Sequence, residues 1–167
     1  MVRVLGCLLI VISGSLGGFY FSSKLKSRVD FLKDFISFLK SLKIQLRYTS
    51  NDIFTILPMC TDSKILKPLF CKMADKFDNN SLSEIWNNSF TEITKTYGLN
   101  KSDINAITDF GLTLGKTDTE GQLSHIDLYT EIFTKAYENA LLEQKTKSRL
   151  YKTMGFFLGT SIALMIV

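Results

Sequence analysis

Two charge-free apolar runs, one at each end of the chain, constrain its fold more than any other feature. The first covers residues 4–21 and the second covers residues 154–167. A helix of 18 residues is about 27 Å long, close to the thickness of a bilayer core, which is about 30 Å. The second run is shorter and reaches that length only with the residues just before it. We therefore predict transmembrane helices over residues 1–23 and 150–167.

Basic residues border both runs on their inner side. They are Lys24, Lys26 and Arg28 after the first run, and Lys145, Lys147, Arg149 and Lys152 before the second. Lys and Arg favour the cytoplasmic side of a membrane, so residues 24–149 are expected to form a cytoplasmic domain. A cleaved leader ending near Gly14, which would leave a secreted helical protein, is the alternative for the N-terminus. A buried core helix is the alternative for the C-terminus.

Each apolar run carries glycines four residues apart, Gly14 with Gly18 and Gly155 with Gly159. Small residues at this spacing allow transmembrane helices to approach closely. Both pairs lie at similar distances from the basic flanks. We therefore hypothesise that the two runs pack as an antiparallel hairpin, although glycine is also simply common in membrane helices.

The middle of the chain has the pattern of an all-α domain. It contains only two prolines and lacks alternating runs of β-branched residues. Its charge is uneven: residues 24–47 carry a net charge of +5, whereas residues 48–144 carry −6. The acidic part argues against nucleic-acid binding, which would need a basic face there. The basic segments beside the apolar runs suit anionic lipid headgroups.

Apolar spacing and capping residues predict a six-helix bundle over residues 24–149. The first helix continues out of the N-terminal span with one apolar stripe of Leu25, Val29, Leu32, Phe35, Leu39, Leu42 and Leu46. A short helix over residues 50–59 follows. The expected starts of the other four helices are Asp62, Ser81 with Glu84 as a capping box, Asn100 or Ser102, and Thr119 with Gln122 as a second capping box.

The most distinctive cluster lies where the fifth predicted helix gives way to the sixth. It comprises Phe110, Gly111, Leu114, Gly115, Asp118, Gln122, His125, Ile126 and Leu128. Gly111 is expected to permit a close helix contact, Gly115 to end a helix and Asp118 to stabilise the start of the next. His125, the single histidine, lacks partners for a metal or catalytic site. The cluster is therefore either a helix junction or a partner-binding surface, and we predict no catalytic, metal or cofactor site.

This cluster, read as F-G-x-x-L-G-x-x-D-x-x-x-Q-x-x-H-I-x-L, resembles the stage III sporulation protein AB family of endospore-forming bacteria. The resemblance extends to Trp86, to the basic helix after the first run with Leu42-x-x-x-Leu46-x-Tyr48, and to Gly155-Phe156-x-x-Gly159. It covers essentially the whole chain in order. The chain departs from the family pattern at Gln45, where the family usually has Glu, and in Thr49-Ser50-Asn51.

The resemblance implies a cytoplasmic domain like that of the type II secretion F platform protein. It also implies a non-enzymatic subunit of the channel complex between mother cell and forespore, in the mother-cell membrane around the forespore. The expected partners are the cytoplasmic ATPase, stage III sporulation protein AA, and other stage III channel subunits. The alternative is a transporter or enzyme subunit built on a two-span hairpin. That alternative would need Asp, Glu, Lys, Arg or His residues within the apolar runs, which have none.

Overall fold

The computed structural model describes residues 2–49, 53–75 and 81–166. Within these ranges, the side chains of residues 2–5, 7–8, 54, 92, 94–95 and 166 are not described. The described backbone is helical with connecting turns and contains no strand, which confirms the all-α fold class. The predicted starts at Asn51 or Asp52 and the turn over residues 78–80 lie outside the described residues.

Five α-helices of nine or more residues make up the described chain. They are α1 (Val2–Tyr48), α2 (Leu66–Ala74), α3 (Leu82–Thr96), α4 (Lys101–Thr113) and α5 (Thr119–Ile166). The predicted six-helix count is therefore not supported. The second predicted helix is only an α turn, Ile53–Ile56, followed by a 3₁₀ turn, Leu57–Cys60. Pro58 lies in the 3₁₀ turn, where its missing N–H prevents a regular α-helix from continuing.

The part of the chain that the structure describes contains no helix long and apolar enough to cross a membrane. This finding does not support the two predicted transmembrane helices. The predicted domain boundaries, after residues 23 and 149, fall inside α1 and α5.

The chain divides into two compact units, which we call the terminal unit and the central unit. The terminal unit comprises Met1–Val29 and Asn139–Val167, and the central unit comprises Asp30–Glu138. In the terminal unit, the N-terminal part of α1 packs against the C-terminal part of α5. In the central unit, the middle helices surround the C-terminal part of α1.

Phe35 lies at the centre of an aromatic core in the central unit. It is fully buried. Its ring contacts those of Phe31, Phe38, Trp86, Phe90, Phe110 and Phe133, at centroid distances between 4.6 and 6.5 Å. The predicted stripe included Phe35 but omitted Phe31 and Phe38, which are also fully buried. The buried face of α1 is therefore wider than one stripe, because the helix is enclosed by neighbours on several sides.

The helix starts agree with the predicted caps at Ser81 and Asn100 and differ at Asp62 and Thr119, the last of which is described with the junction below. The Ser81 hydroxyl accepts a hydrogen bond from the Glu84 amide at 3.3 Å. Asn100, rather than Ser102, caps α4: its side chain accepts from the Asp103 amide at 2.7 Å, and Asp103 accepts from the Asn100 amide at 3.1 Å. Asp62 does not cap α2 and instead binds Lys67 at 2.9 Å.

Ser63 takes the role predicted for Asp62. Its hydroxyl accepts from the amides of Ile65 and Leu66 at 3.2 and 3.4 Å, and it donates to the Asp34 carboxylate. A hydroxyl at this position satisfies amides that have no partner within the helix. The start of α2 is therefore attached to α1 through a side chain.

Candidate helix-junction site

The distinctive cluster forms the junction between α4 and α5. After α4 ends, Gly115 adopts a left-handed backbone with φ of +81°, which a residue with a Cβ would adopt only with strain. Asp118 then caps α5: its carboxylate accepts from the Gly121 amide at 3.2 Å, and its carbonyl accepts from the Gln122 amide at 2.9 Å. Thr119, predicted as the cap, is instead the first helical residue. The capping is therefore shifted by one residue from the prediction.

Gly111 lies directly against the indole ring of Trp86. A Cβ added at Gly111 would overlap the ring atoms Cδ1, Cγ and Nε1. Trp86 is fully buried, and its Nε1–H donates to the carbonyl of Ile107 at 2.8 Å. The glycine therefore permits α3 and α4 to approach until a tryptophan of one helix bonds the backbone of the other.

His125 belongs to a cluster of three rings with Phe110 and Tyr129, which also contact each other at 5.4 Å. Its ring is nearly parallel to that of Phe110, with 8° between planes and centroids 5.9 Å apart, and it lies 4.6 Å from Tyr129. The Thr113 hydroxyl, on the last turn of α4, hydrogen-bonds Nε2 of His125. Partial burial lowers the pKa of His125 from its usual value. His125 therefore connects the end of α4 to α5 through this hydrogen bond and its ring contacts.

Replacement of His125 by glutamine should flatten the dependence of stability on pH. Because the folded-state pKa lies below that of the unfolded chain, near 6.5, the unfolded chain binds more protons in the interval between the two values. The free energy of unfolding should therefore fall as pH drops below about 6.5. Urea titrations of the full chain, followed by the fluorescence of the single Trp86, would measure it between pH 5 and 8. If the free energy of unfolding depends on pH equally in the wild-type chain and in His125→Gln, the lowered pKa of His125 is contradicted.

The side chain of Gln122, on α5, forms a hydrogen bond with the loop between α4 and α5. Its Nε2 donates to the Thr117 carbonyl at 2.9 Å, while its buried Oε1 has no hydrogen-bond partner. It therefore does not complete the capping box predicted with Thr119. Leu114 and Ile126 are buried in the junction, whereas Leu128 is 54% exposed. The structure thus brings all the predicted cluster residues to the junction except Leu128, which lies one turn further on α5 and is exposed to solvent.

The described side chains include no group of three His, Cys, Asp or Glu residues placed to hold a metal ion. Cys60 and Cys71 are free thiols, and burial raises the pKa of Cys60 to about 11. The side chain of Cys7 lies outside the described residues. The geometry around the junction is that of helix packing.

The glycine pairs bring the two helices of the terminal unit into backbone contact. A Cβ added at Gly14 would lie 2.7 Å from the Gly155 carbonyl oxygen and 3.0 Å from the Cα of Gly159. A Cβ at Gly155 would lie 2.6 Å from the Gly14 oxygen and 3.0 Å from the Cα of Gly18. Only hydrogen fits at these positions. The hypothesised antiparallel hairpin is therefore present within the terminal unit.

A series of polar contacts, which the sequence pattern did not indicate, continues this hairpin. The hydroxyls of Ser22 and Ser148 lie 2.5 Å apart. Arg28, a largely buried side chain, binds Glu143 at 2.8 Å, and Lys147 binds the same carboxylate at 2.5 Å. The hydrogen bond from Lys147 and the charges of Lys147 and Arg28 lower the pKa of Glu143, although its burial acts in the opposite direction. These contacts fix the register of α1 against α5.

Together, the described residues define an all-α protein whose distinctive cluster builds close helix contacts. The chain belongs to the stage III sporulation protein AB family, whose model matches residues 3–167. It is similar to stage III sporulation protein AB of Bacillus subtilis (strain 168), with 24% identity over 171 positions that cover the whole of both chains. The family is one of sporulation proteins and is not known as an enzyme family. No solved structure matches the chain.

Proposed function

We propose that this protein is a non-enzymatic subunit of the channel complex between mother cell and forespore. The terminal hairpin anchors it in the mother-cell membrane around the forespore, and the central unit, in the mother-cell cytoplasm, docks the ATPase, stage III sporulation protein AA. Membership of the stage III sporulation protein AB family supports the sporulation role. The glycine-paired hairpin with its exposed apolar surface is the observation on which the proposed membrane anchoring rests.

The side chains exposed on the surface of the hairpin are those expected in an apolar environment such as a membrane. Among the described residues of the hairpin, several large hydrophobic side chains are each more than half exposed: Leu9, Leu16, Phe19, Phe157, Leu158 and Leu164. An apolar surface of this kind is unfavourable in water and marks a membrane or protein contact. The aromatic rings of Phe19 and Tyr20 lie beneath the ammonium groups of Lys152 and Lys24, at 5.7 and 4.9 Å. Aromatic and basic residues together are typical of a membrane interface.

Alkaline carbonate extraction tests the anchoring directly. The full chain in membranes from sporulating cells should stay in the pellet after carbonate treatment and enter solution only with detergent. Mass analysis of its N-terminus should find the apolar run intact. Release by carbonate, or a mature chain beginning after residue 15, would instead support the secreted alternative.

The junction between α4 and α5 offers an acidic surface for docking. Asp109, Asp118 and Glu120 are exposed around it. Asp103 is excluded from this surface because it is buried and engaged in the capping box of α4. Asp118 is also occupied in part, as the cap of α5. Asp109 and Glu120 are therefore the carboxylates best placed to meet a basic face of the ATPase.

Reversing both of these charges, in an Asp109→Lys/Glu120→Lys variant, should weaken ATPase binding by about tenfold or more, because two attractive contacts become repulsive. The affinity of the detergent-purified full chain for the purified ATPase, measured at low and at physiological salt, would show this loss. The matched control is Asp75→Lys/Glu138→Lys, which makes the same charge change at exposed positions away from the junction. Equal loss in both variants, or none in the first, would contradict docking at the junction.

A further inference from the structure

Two stripes of charged side chains, one basic and one acidic, lie on the exposed surface of the central unit. The basic stripe, on α1, consists of exposed cations at intervals of seven residues: Lys33, Lys40 and Arg47. The acidic stripe, on α5, consists of exposed carboxylates four or seven residues apart: Asp127, Glu131 and Glu138. Residues at these spacings lie on nearly the same face of a helix, because seven residues make almost two whole turns. Each set therefore forms one line of like charge along its helix.

The two stripes flank the contact between α1 and α5. Lys43 of α1 binds Asp127 of α5 at 2.6 Å, and the two side chains are 34% and 58% exposed. This ion pair therefore marks the solvent edge of the contact. Lys40 lies three residues before Lys43 and Arg47 lies four residues after it, so both are on the same side of α1. The basic and acidic stripes consequently form the two halves of one exposed face.

The cations of the basic stripe are not neutralised along α1. Among the described residues, Lys33, Lys40 and Arg47 form no ion pair. The only acid between Lys33 and Arg47 in the sequence is Asp34, which is partly buried and accepts a hydrogen bond from Ser63. The stripe therefore keeps its charge available for a partner.

Two large apolar side chains are exposed beside the stripes. Ile44 of α1 is 57% exposed and lies four residues after Lys40. Leu128 of α5 is 54% exposed and directly follows Asp127. Leu128 is also the member of the distinctive cluster that the helix junction does not use. Apolar side chains surrounded by charged ones are the arrangement of a protein–protein contact, with an apolar centre and a polar rim.

We propose that this face binds a second copy of the chain, related by a two-fold axis that runs parallel to α1 and α5. Such an axis places α1 of each copy against α5 of the other, so each basic stripe meets an acidic stripe. A two-fold axis across the helices would instead place α1 on α1, where like charges repel. The charge pattern therefore selects both the partner and the symmetry. It also leaves the helices of both copies running in the same direction, as two chains in one membrane require.

The same symmetry determines which charges meet. Rotation about an axis parallel to the helices leaves every residue at its own height along that axis, and the Lys43–Asp127 pair fixes those heights. Counting back from Lys43, Lys40 lies at the height of residue 130 and Lys33 at the height of residue 137. The nearest carboxylates of the second copy are each one residue away, or about 1.5 Å along the axis. They are Glu131 for Lys40 and Glu138 for Lys33.

The apolar side chains are matched in the same way. Ile44 lies one residue after Lys43, at the height of residue 126 on α5. Leu128 of the second copy is two residues from that height, or about 3 Å along the axis. The two-fold symmetry repeats this pairing, so both contacts of the dimer have an apolar centre between charged pairs.

The ion pair that Glu131 forms within its own helix does not prevent this contact. Lys135 binds Glu131 at 2.7 Å, but the two side chains are 70% and 67% exposed. Exposed ion pairs of this kind contribute little to stability. Lys40 of the second copy can therefore share or replace Lys135 at this carboxylate.

Reversing the charge of one stripe at a time, in the detergent-purified full chain, tests the proposal. Lys33→Glu/Lys40→Glu and Glu131→Lys/Glu138→Lys should each raise the dissociation constant of the dimer about tenfold or more, because both symmetric contacts become repulsive. Light scattering after size-exclusion chromatography, over a range of protein concentrations, would measure this constant. A dimer that resists both reversals would lie on another surface and would overturn the proposal.

The matched control is Lys101→Glu/Lys116→Glu. It makes the same charge change at two exposed cations, one at the start of α4 and one in the loop after it. This variant should dimerise as the wild-type chain does. Equal weakening in the control would mean that net charge, and not the basic stripe, governs association, and would also overturn the proposal.

Mixing the two reversed variants provides the most specific test. In a mixed dimer, the reversed α1 of one variant meets the reversed α5 of the other, and the unchanged stripes meet at the second contact. Both contacts are then attractive again. Differently tagged variants should therefore form a mixed dimer with near wild-type affinity, although each alone is mainly monomeric. Absence of the mixed dimer would contradict the paired stripes.

Leu128→Ser tests the same face without changing its charge. It should weaken the dimer about tenfold, because the substitution enters both contacts. Thermal unfolding followed by circular dichroism should remain close to that of the wild-type chain, since Leu128 is exposed. A wild-type chain that is monomeric at every concentration measured, or a dimer unaffected by Leu128→Ser, would overturn the proposal. Neither result bears on ATPase docking, which Asp109→Lys/Glu120→Lys tests separately.

Discussion

Replacement of Gly111 by alanine is expected to destabilise the central unit by about 2 kcal/mol, near the middle of the range for overpacked cores. The added methyl would occupy the space of the Trp86 ring. The ring cannot move aside easily, since it is fully buried and packs against Phe35, Phe70, Phe90 and Phe110, with its N–H bonded to Ile107. Urea unfolding of the full chain, followed by circular dichroism, would measure the change in the free energy of unfolding.

Helix propensity alone makes the opposite prediction for Gly111→Ala. Alanine is favoured over glycine within a helix by about 1 kcal/mol. A stabilised variant would therefore contradict the close contact with Trp86. The double variant Gly111→Ala/Trp86→Phe supplies the control, because the smaller ring leaves room for the methyl. It should be clearly less destabilised than the sum of the two single variants, as expected for residues in direct contact.

Replacement of Gly14 by leucine should separate the helices of the terminal unit. The side chain would have to enter the space of the Gly155 carbonyl and the Gly159 backbone, which cannot yield without moving the whole helix. A disulfide placed elsewhere in the hairpin would report this separation. The hydroxyls of Ser22 and Ser148 are 2.5 Å apart, close to the length of a disulfide bond, about 2.05 Å.

The Ser22→Cys/Ser148→Cys variant should therefore oxidise to a crosslinked chain, in a background whose three native cysteines are replaced by serine. Adding Gly14→Leu should abolish most of the crosslink, and mobility on a denaturing gel would show it. Gly6→Leu is the control, because a Cβ at Gly6 meets no atom within 4 Å. An unchanged crosslink with Gly14→Leu would contradict the glycine contact. Cysteines at positions 14 and 155 would be unsuitable, because their own side chains would push the helices apart.

The sequence was most informative where the physical cause is local. Ser81 and Asn100 could be recognised as caps because a cap acts within three residues of its own position. Gly115 could be recognised as a helix end for the same reason. The hairpin could be inferred because both glycine pairs lie at matching distances from charged flanks. The prediction of a helix over residues 50–59 was less accurate, because Pro58 limits this segment to an α turn and a 3₁₀ turn.

Contacts between distant parts of the chain could not be predicted from the sequence pattern. Gly111 indicated a close approach but not its partner, because the periodicity of a helix shows which face is buried and not what covers it. Trp86 is 25 residues away and was identified only by the structure. Arg28 and Glu143 are separated by 115 residues, so no local pattern could pair them. Both pairings needed the tertiary arrangement.

The role that we propose for this family member is to anchor a cytoplasmic ATPase at the membrane around the forespore. Purification of the tagged full chain from detergent-solubilised membranes of sporulating cells, followed by mass spectrometry, tests it most directly. The ATPase, stage III sporulation protein AA, and other stage III channel subunits should be recovered with the wild-type chain, and the ATPase should be depleted with Asp109→Lys/Glu120→Lys. Recovery of the chain from membranes without the ATPase or any channel subunit would contradict the claim.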